Sequence, residues 1–344
     1  MLLISQLPGF WNSLRRWVST GKWTDGHLKQ RAFRPVSTLS AEEIAASKDA
    51  VLGKCEFFTD VHLWPLTNEM DALQWLQNFT DGELPYAIRL LDGFLFFSRE
   101  LTDAMFVAGF QSISGQVARP GSMPLAVQSA WSQFCSDVIV THVEGEIPST
   151  TDSGYSFARR ARQLLSIPEE QILAPDDALQ AAITSPQRPV VFVDDFVGSG
   201  QQFHDTWTRE RALPSLGERS FEKLPQARTT RFFYCPILCT RDGATYIASS
   251  CKGVRVVPVH YLDPTRDTVF GTESSLWSAG ERPKARAIIK AASLRAGIPE
   301  SGKDRWDGYE GLGLAVAFEH SVPDATLPIF YGDKNGWKPL IQRK

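Results

Sequence analysis

Asp194 and Asp195 are adjacent carboxylates, and Gly198-Ser199-Gly200 follows two residues later within Val190–Phe203, VVFVDDFVGSGQQF. The four apolar residues Val190 to Val193 read as a buried strand of a parallel sheet, with the acids at its carboxyl end. The small-residue turn leads into a helix, where backbone N–H groups and the helix N-terminus favour a phosphate. Two carboxylates beside such a cradle can hold ribose hydroxyls or a hydrated Mg²⁺. Open α/β sheets bind ligands outside the carboxyl ends of their strands, so phosphate, ribose and metal are expected at one turn.

The segment resembles the 5-phosphoribosyl-diphosphate (PRPP) motif of the type I phosphoribosyltransferases. That resemblance implies that Asp194 and Asp195 bind the ribose 2′ and 3′ hydroxyls, and with PRPP its Mg²⁺. It implies that Val197, Gly198, Ser199, Gly200, Gln201 and Gln202 wrap the 5′-phosphate. The family usually ends this loop with Gly-Thr, whereas Gln201 and Gln202 follow Gly200 here.

In that family a loop after an earlier strand grips the diphosphate of PRPP. Its counterpart here follows Val138–Val143 and begins Glu144-Gly145-Glu146, which repels a diphosphate unless Mg²⁺ intervenes. Asp152-Ser153-Gly154 is an alternative anion-facing turn, opening a helix that carries Arg159, Arg160 and Arg162. Arg159 and Arg162 share a helix face that suits phosphates, an acidic partner or plain solvent. His142, at that strand's end, and His204, past the motif loop, are weaker catalytic candidates than structural ones.

VVFVDD also looks like the metal-binding strand of a P-loop NTPase, and Gly297 to Asp304 nearly matches the phosphate loop. Asp304 stands where that loop needs Ser or Thr, and Gly297 reads as the C-cap of a helix spanning Pro283 to Ala296. The NTPase reading is rejected.

The elements that must position these residues divide into two regions. Residues 1–120 read as helical and fit a partner-docking domain or a lid. Trp11, Leu14 and Val18 share a face near the start, and Ser40 to Glu43 form a capping box. Asn68–Phe79, Leu84–Phe97 and Arg99–Phe110 are expected helices, and Pro120 to Pro124 marks the boundary. Residues 125–344 alternate strands and helices. Strands are expected at Val138–Val143, Ile172–Ala174, Val190–Val193, Phe232–Cys239, Thr245–Ala248, Val254–Val259 and Leu312–Phe318. Helices are expected at Tyr155–Leu165, Asp176–Ile183 and Gln201–Arg211. Leu213–Thr230 reads as an exposed insertion. The expected fold class is α/β, a parallel doubly wound sheet of phosphoribosyltransferase type preceded by a mostly helical region.

With 344 residues, 43 % hydrophobic and 22 % charged, the chain is globular. A net charge of −3 argues against a broad nucleic-acid footprint. No apolar run reaches the ~18 residues of a membrane span, and no secretory leader is evident. The five scattered cysteines lack zinc-site spacing and suit a reducing cytoplasm. Tyr309, Tyr331 and Trp337 are expected to pack the C-terminal segment rather than stack a base.

A narrower resemblance covers about residues 135–344. DSGYSFARRAR, VDDFVGSG and GYEGLGLAVAFEHSVPDATLPIFYG look like the phosphoribosyltransferase-like proteins of bacterial conflict systems, some retron-associated. The resemblance implies an antiviral effector that binds PRPP or a nucleotide. A partner protein, or a reverse transcriptase with its nucleic acid, is the implied associate. Two functions stay open: phosphoribosyl transfer to an unknown acceptor, or a catalytically inactive nucleotide-sensing module that docks a partner.

Overall fold

The computed structural model describes residues 35–118, 121–145, 153–214, 216–224 and 230–343. The Trp11–Val18 face, the start of the boundary at Pro120, and Asp152 lie outside the described residues. Ser40–Lys344 forms one compact unit and Met1–Leu39 another, of which a single 3₁₀ turn at Val36–Thr38 is described. Both the helices before residue 118 and the α/β part after 124 lie within the larger unit.

That unit opens with helix α1 (Ala41–Asp60), started by the expected capping box: Glu43 N donates to Ser40 Oγ and Ser40 N to Glu43 Oε2. Short α2 (Ala72–Leu76) and α3 (Leu84–Asp92) follow. The helix expected to reach Phe97 stops at Asp92, because Leu95–Phe97 forms strand β1. After α4 (Arg99–Ser112) and α5 (Ser114–Val117) comes α6 (Pro124–Asp137), a helix not anticipated from the sequence, with proline in its first turn.

The central sheet is parallel throughout. Its strands are β2 (Ile139–His142), β3 (Val190–Val197), β6 (Phe232–Thr240), β7 (Val254–Val256) and β8 (His260–Leu262). β3 lies between β2 and β6, while β7 and β8 pair successive halves of β6's other edge. Val257 and Val259 continue that ladder to the carbonyls of Tyr234 and Pro236, so Val254–Leu262 acts as one interrupted strand. Pro236 lacks the N–H that would face this edge, and the edge breaks beside it. Ile172 bridges to Val140 on the far side of β2, the whole contribution of the strand expected at Ile172–Ala174.

Helices cover both faces. Phe106 and Phe110 of α4, Phe134 of α6, and Phe157 and Ala161 of α7 (Ser153–Leu165) pack on Val191 and Val193. On the other face, Leu179 of α8 (Pro175–Thr184), Phe203 and Trp207 of α9 (Gln201–Thr208), and Ile247 of α10 (Arg241–Ser250) pack on Val190 and Phe192. The strand expected at Thr245–Ala248 lies within α10. Thr240 caps that helix through Gly243 N, which outweighs the β-branched Thr245 and Ile247.

The segment expected as an exposed insertion, Leu213–Thr230, instead includes a two-strand ribbon, β4 (Arg211–Leu213) and β5 (Gly217–Arg219), and buries Ser220, Phe221 and Leu224. Helix α11 (Arg282–Arg295) ends at Gly297 with φ +76°. Of Leu312–Phe318, only β9 (Val316–Phe318) is a strand, because Gly311 and Gly313 adopt positive φ. It pairs in parallel with β1, outside the central sheet.

Candidate functional site

The chain leaves β2 toward the Ile172 edge and leaves β3 toward β6, so the strand order reverses between them. Crevices outside the carboxyl ends of strands at such a reversal are where open α/β sheets take ligands. A cleft of about 440 Å³ lies there. Asp194 and Asp195 form its floor, Gly198 to Gln202 one wall, and Glu144 and Gly145 the β2 end. A strap from the C-terminal segment adds Lys303, Tyr309 and Ser321 to Ala325 to the lining.

Strand alternation sends the two acids to different faces of β3. Asp194 meets the Tyr234 hydroxyl, which donates to its Oδ2 at 3.0 Å, and its Oδ1 accepts from Asp195 N at 2.9 Å. Asp195 Oδ2 lies 2.9 Å from His320 Nε2 and accepts from Ser321 Oγ at 2.8 Å. The His320 ring is set between Phe157 and Phe318, with centroids 5.6 and 5.4 Å away.

Those surroundings separate the two acids chemically. Burial, with Asp195 beside it, pushes Asp194 well above the ordinary carboxylate range. Burial also raises Asp195, but the hydrogen bonds and charge of His320 and the Ser321 hydroxyl outweigh it and hold Asp195 below that range. Of the coupled pair, Asp194 thus holds its proton more tightly, and Asp195 gives its proton up more readily, than an isolated carboxylate.

The glycine turn is braced from behind. Gly200, at φ +84°, precedes α9, and a Cβ there would lie 2.8 Å from Gly243 O. A Cβ on Gly243 would lie 2.2 Å from Gly198 O, so α10 packs against the turn at backbone contact. Gln201 is held by its side chain: Nε2 donates to Asp205 Oδ1 at 2.6 Å, and Oε1 accepts from Tyr246 at 3.0 Å.

At the β2 end, Glu144 is buried and ion-paired with Arg211 Nη2 and, at 3.1 Å, with Arg209 Nη1. Arg209 Nη2 also donates to Gly145 O at 3.1 Å, and Arg211 Nε reaches Asp176 at 2.7 Å. Both guanidinium groups are thus turned onto the protein's own acids.

A model of the PRTase-CE family matches residues 72–343. The chain belongs to this family. It is therefore a phosphoribosyltransferase-like protein, and the match takes in α2 to α6 as well as the α/β part. No curated protein matches the chain.

Of the family-type residues expected from sequence, Asp194, Asp195, Val197 to Gln202, Glu144 and Gly145 all line the cleft. Ser153 and Gly154 begin α7, while Arg159 is exposed on that helix and is not among the cleft's lining. Arg162 pairs with Glu169, and Arg160 with Asp103. His142 is buried at the end of β2, and His204 leans on Tyr246. Tyr331 packs beneath Arg343, and Trp337 is buried against Phe79. Tyr309, expected to pack with them, faces the cleft instead. Sequence reasoning missed His320, Ser321, Tyr234 and Lys303. Tyr234 had a local signal as a polar-tipped residue in an apolar strand, and Lys303 lay in the near-match to a phosphate loop.

Proposed function

We propose that the chain binds PRPP or a nucleotide at the Asp194–Gln202 turn and transfers the phosphoribosyl group to an acceptor. One observation carries the reading: a single cleft at the strand-order reversal collects the acid pair, the glycine turn and the start of α9. The turn's backbone N–H groups suit the 5′-phosphate. Asp194 in its protonated form both donates to and accepts from a ribose hydroxyl, while ionised Asp195 opposes the positive charge that develops at C1′ as the leaving group departs.

Mg²⁺ takes carboxylate, phosphate and water oxygens. Among the described residues no group of three His, Cys, Asp or Glu is placed to hold a metal. An ion arriving with the ligand's phosphates would take Asp195, and Asp194 once it has lost its proton, as its protein oxygens. When bound, such an ion supplies charge neutralisation for the departing group.

The resemblance of the α7 segment and of residues 308–332 to proteins of bacterial conflict systems supports an antiviral, retron-type effector role. A partner protein or a reverse transcriptase with its nucleic acid, in the cytoplasm, would be its associate. No described helix is long and apolar enough to cross a membrane.

The test is release of the C1′ leaving group, pyrophosphate from PRPP or base from a nucleotide, with Mg²⁺ and a cell extract as acceptor pool. Asp195→Asn, checked for folding, is expected to lower the rate about 10²–10³-fold, the scale of losing one preorganised electrostatic contact. A folded variant that keeps the full rate refutes the reading. The engagement of Gln201 where the family places a hydroxyl favours the second reading, a non-catalytic nucleotide sensor. Binding without turnover by the wild type would select it.

A further inference from the structure

On the phosphoribosyl-binding reading above, on which this inference rests, a ligand brings at least one phosphate into the cleft. A phosphate monoester carries about −1.5 to −2 charges near neutral pH. The start of α9, with the N–H groups it leaves unpaired, is equivalent to about half a positive charge. Most of the ligand's charge therefore needs a cation. The arginines nearest the β2 end, Arg209 and Arg211, are turned onto Glu144 and Asp176. Among the described residues that line the cleft, Lys303 is the one Lys or Arg.

The fold carries Lys303 there on a short anchored loop. Trp306 N donates to Pro299 O at 2.9 Å, which closes residues 299–306 at their base. Trp306 and Asp307 are buried beyond it, and Asp307 takes both Arg286 and Arg305. On the loop's other arm Lys290 pairs with Glu300. Gly302, at φ +97°, turns the chain directly before Lys303, in a conformation that a side chain would strain. Arg305, the loop's other cation, thus serves the protein's own acid, while Lys303 is exposed and lines the cleft. A lysine ammonium on its flexible stem acts on phosphate as a point charge.

We infer that Lys303 binds a phosphate group of the ligand from the strap, supplying the full positive charge that the glycine turn lacks.

The experiment is calorimetric binding of ribose 5-phosphate and PRPP to the full chain, at two salt concentrations, with and without Mg²⁺. Wild type is compared with Lys303→Ala and Lys303→Arg. Lys303 is exposed, so thermal unfolding of both variants should match wild type. Without Mg²⁺, Lys303→Ala should weaken ribose 5-phosphate about fivefold, the upper end for an exposed ion pair, and flatten the salt dependence of its affinity. Lys303→Arg should recover most of that loss. A loss confined to PRPP also supports the inference and assigns Lys303 to the C1′ diphosphate. A folded Lys303→Ala that binds both ligands as wild type does overturns the inference and leaves the phosphoribosyl site standing. A loss that Lys303→Arg does not recover overturns it as well, since the charge would not be what matters. Failure of wild type to bind either ligand overturns both readings.

Discussion

One wall of the cleft, from Asp194 to Gln202, is continuous in the chain and is braced at backbone contact by Gly243. The other wall, Lys303 to Ala325, is irregular and is tied down by distant partners. β9 pairs with β1, buried Asp307 takes Arg286 and Arg305, and His320 and Ser321 reach Asp195. The first wall is one continuous segment braced at backbone contact by α10, and the second is held by long-range side-chain and strand contacts. On the phosphoribosyl-binding reading a ligand's phosphate would meet a preformed turn, whereas Asp195 acquires its partners only when remote segments have assembled.

The sharpest way to break this contrast is Gly243→Ala. Its methyl group would displace Gly198 O, so the variant should lose about 1–3 kcal/mol of stability, the range for overpacking a tight site, and most ribose 5-phosphate binding. Unchanged thermal unfolding and affinity would show that the near wall yields.

His320→Ala probes the far wall. It removes a charge-assisted hydrogen bond to Asp195, worth about 1.5–3 kcal/mol, so turnover should fall about tenfold or more. Phosphate affinity at the turn should stay within about twofold, since the turn is untouched. Equal loss of ribose 5-phosphate affinity and turnover would mean that the two walls act as one.

The acid pair gives opposite pH responses. Asp195, depressed in the fold, stabilises it above the ordinary carboxylate range, and that stability is lost as pH falls through its lowered folded value. Asp194 is raised, so the folded state binds the extra proton, and stability declines as pH climbs from the ordinary carboxylate range toward its folded value. Asp194→Asn cannot ionise and should remove that alkaline-side decline in denaturant titrations run across pH. A decline of unchanged slope would assign it to other groups.

Tyr234→Phe should have the smallest effect. Losing the hydroxyl that donates to Asp194 costs about 0.5–1.5 kcal/mol, measurable as a shift in denaturant midpoint, and it raises Asp194 further. A change in binding at the far wall would contradict the division.

The near wall was legible because everything it needs is adjacent: a β-branched strand, two acids, and glycines where only glycine fits. β2, β3, β6 and β7 were legible for the same reason, whereas β8 lies beyond the expected Val254–Val259. Thr245–Ala248 misled because β-branched residues within a short capped helix look like strand. Leu312–Phe318 misled because the apolar run conceals Gly313 and follows Gly311, both with positive φ. His320 lies 125 residues from Asp195, and no spacing rule connects them. Lys303 sits in a near-match to a different phosphate motif: Gly297 ends α11 with positive φ as expected, yet the lysine still comes to the cleft.

The pairing of Leu95–Phe97 with Val316–Phe318 also bears on time. Closing so long a loop is entropically costly and slow relative to helix formation. On a ribosome the phosphate turn can fold once β6 and α10 have emerged, but Asp195 has no His320 until the strap follows. On the phosphoribosyl-transfer reading, a nascent chain would hold a phosphate before it could polarise C1′, and chemical competence would arrive as a late event in synthesis.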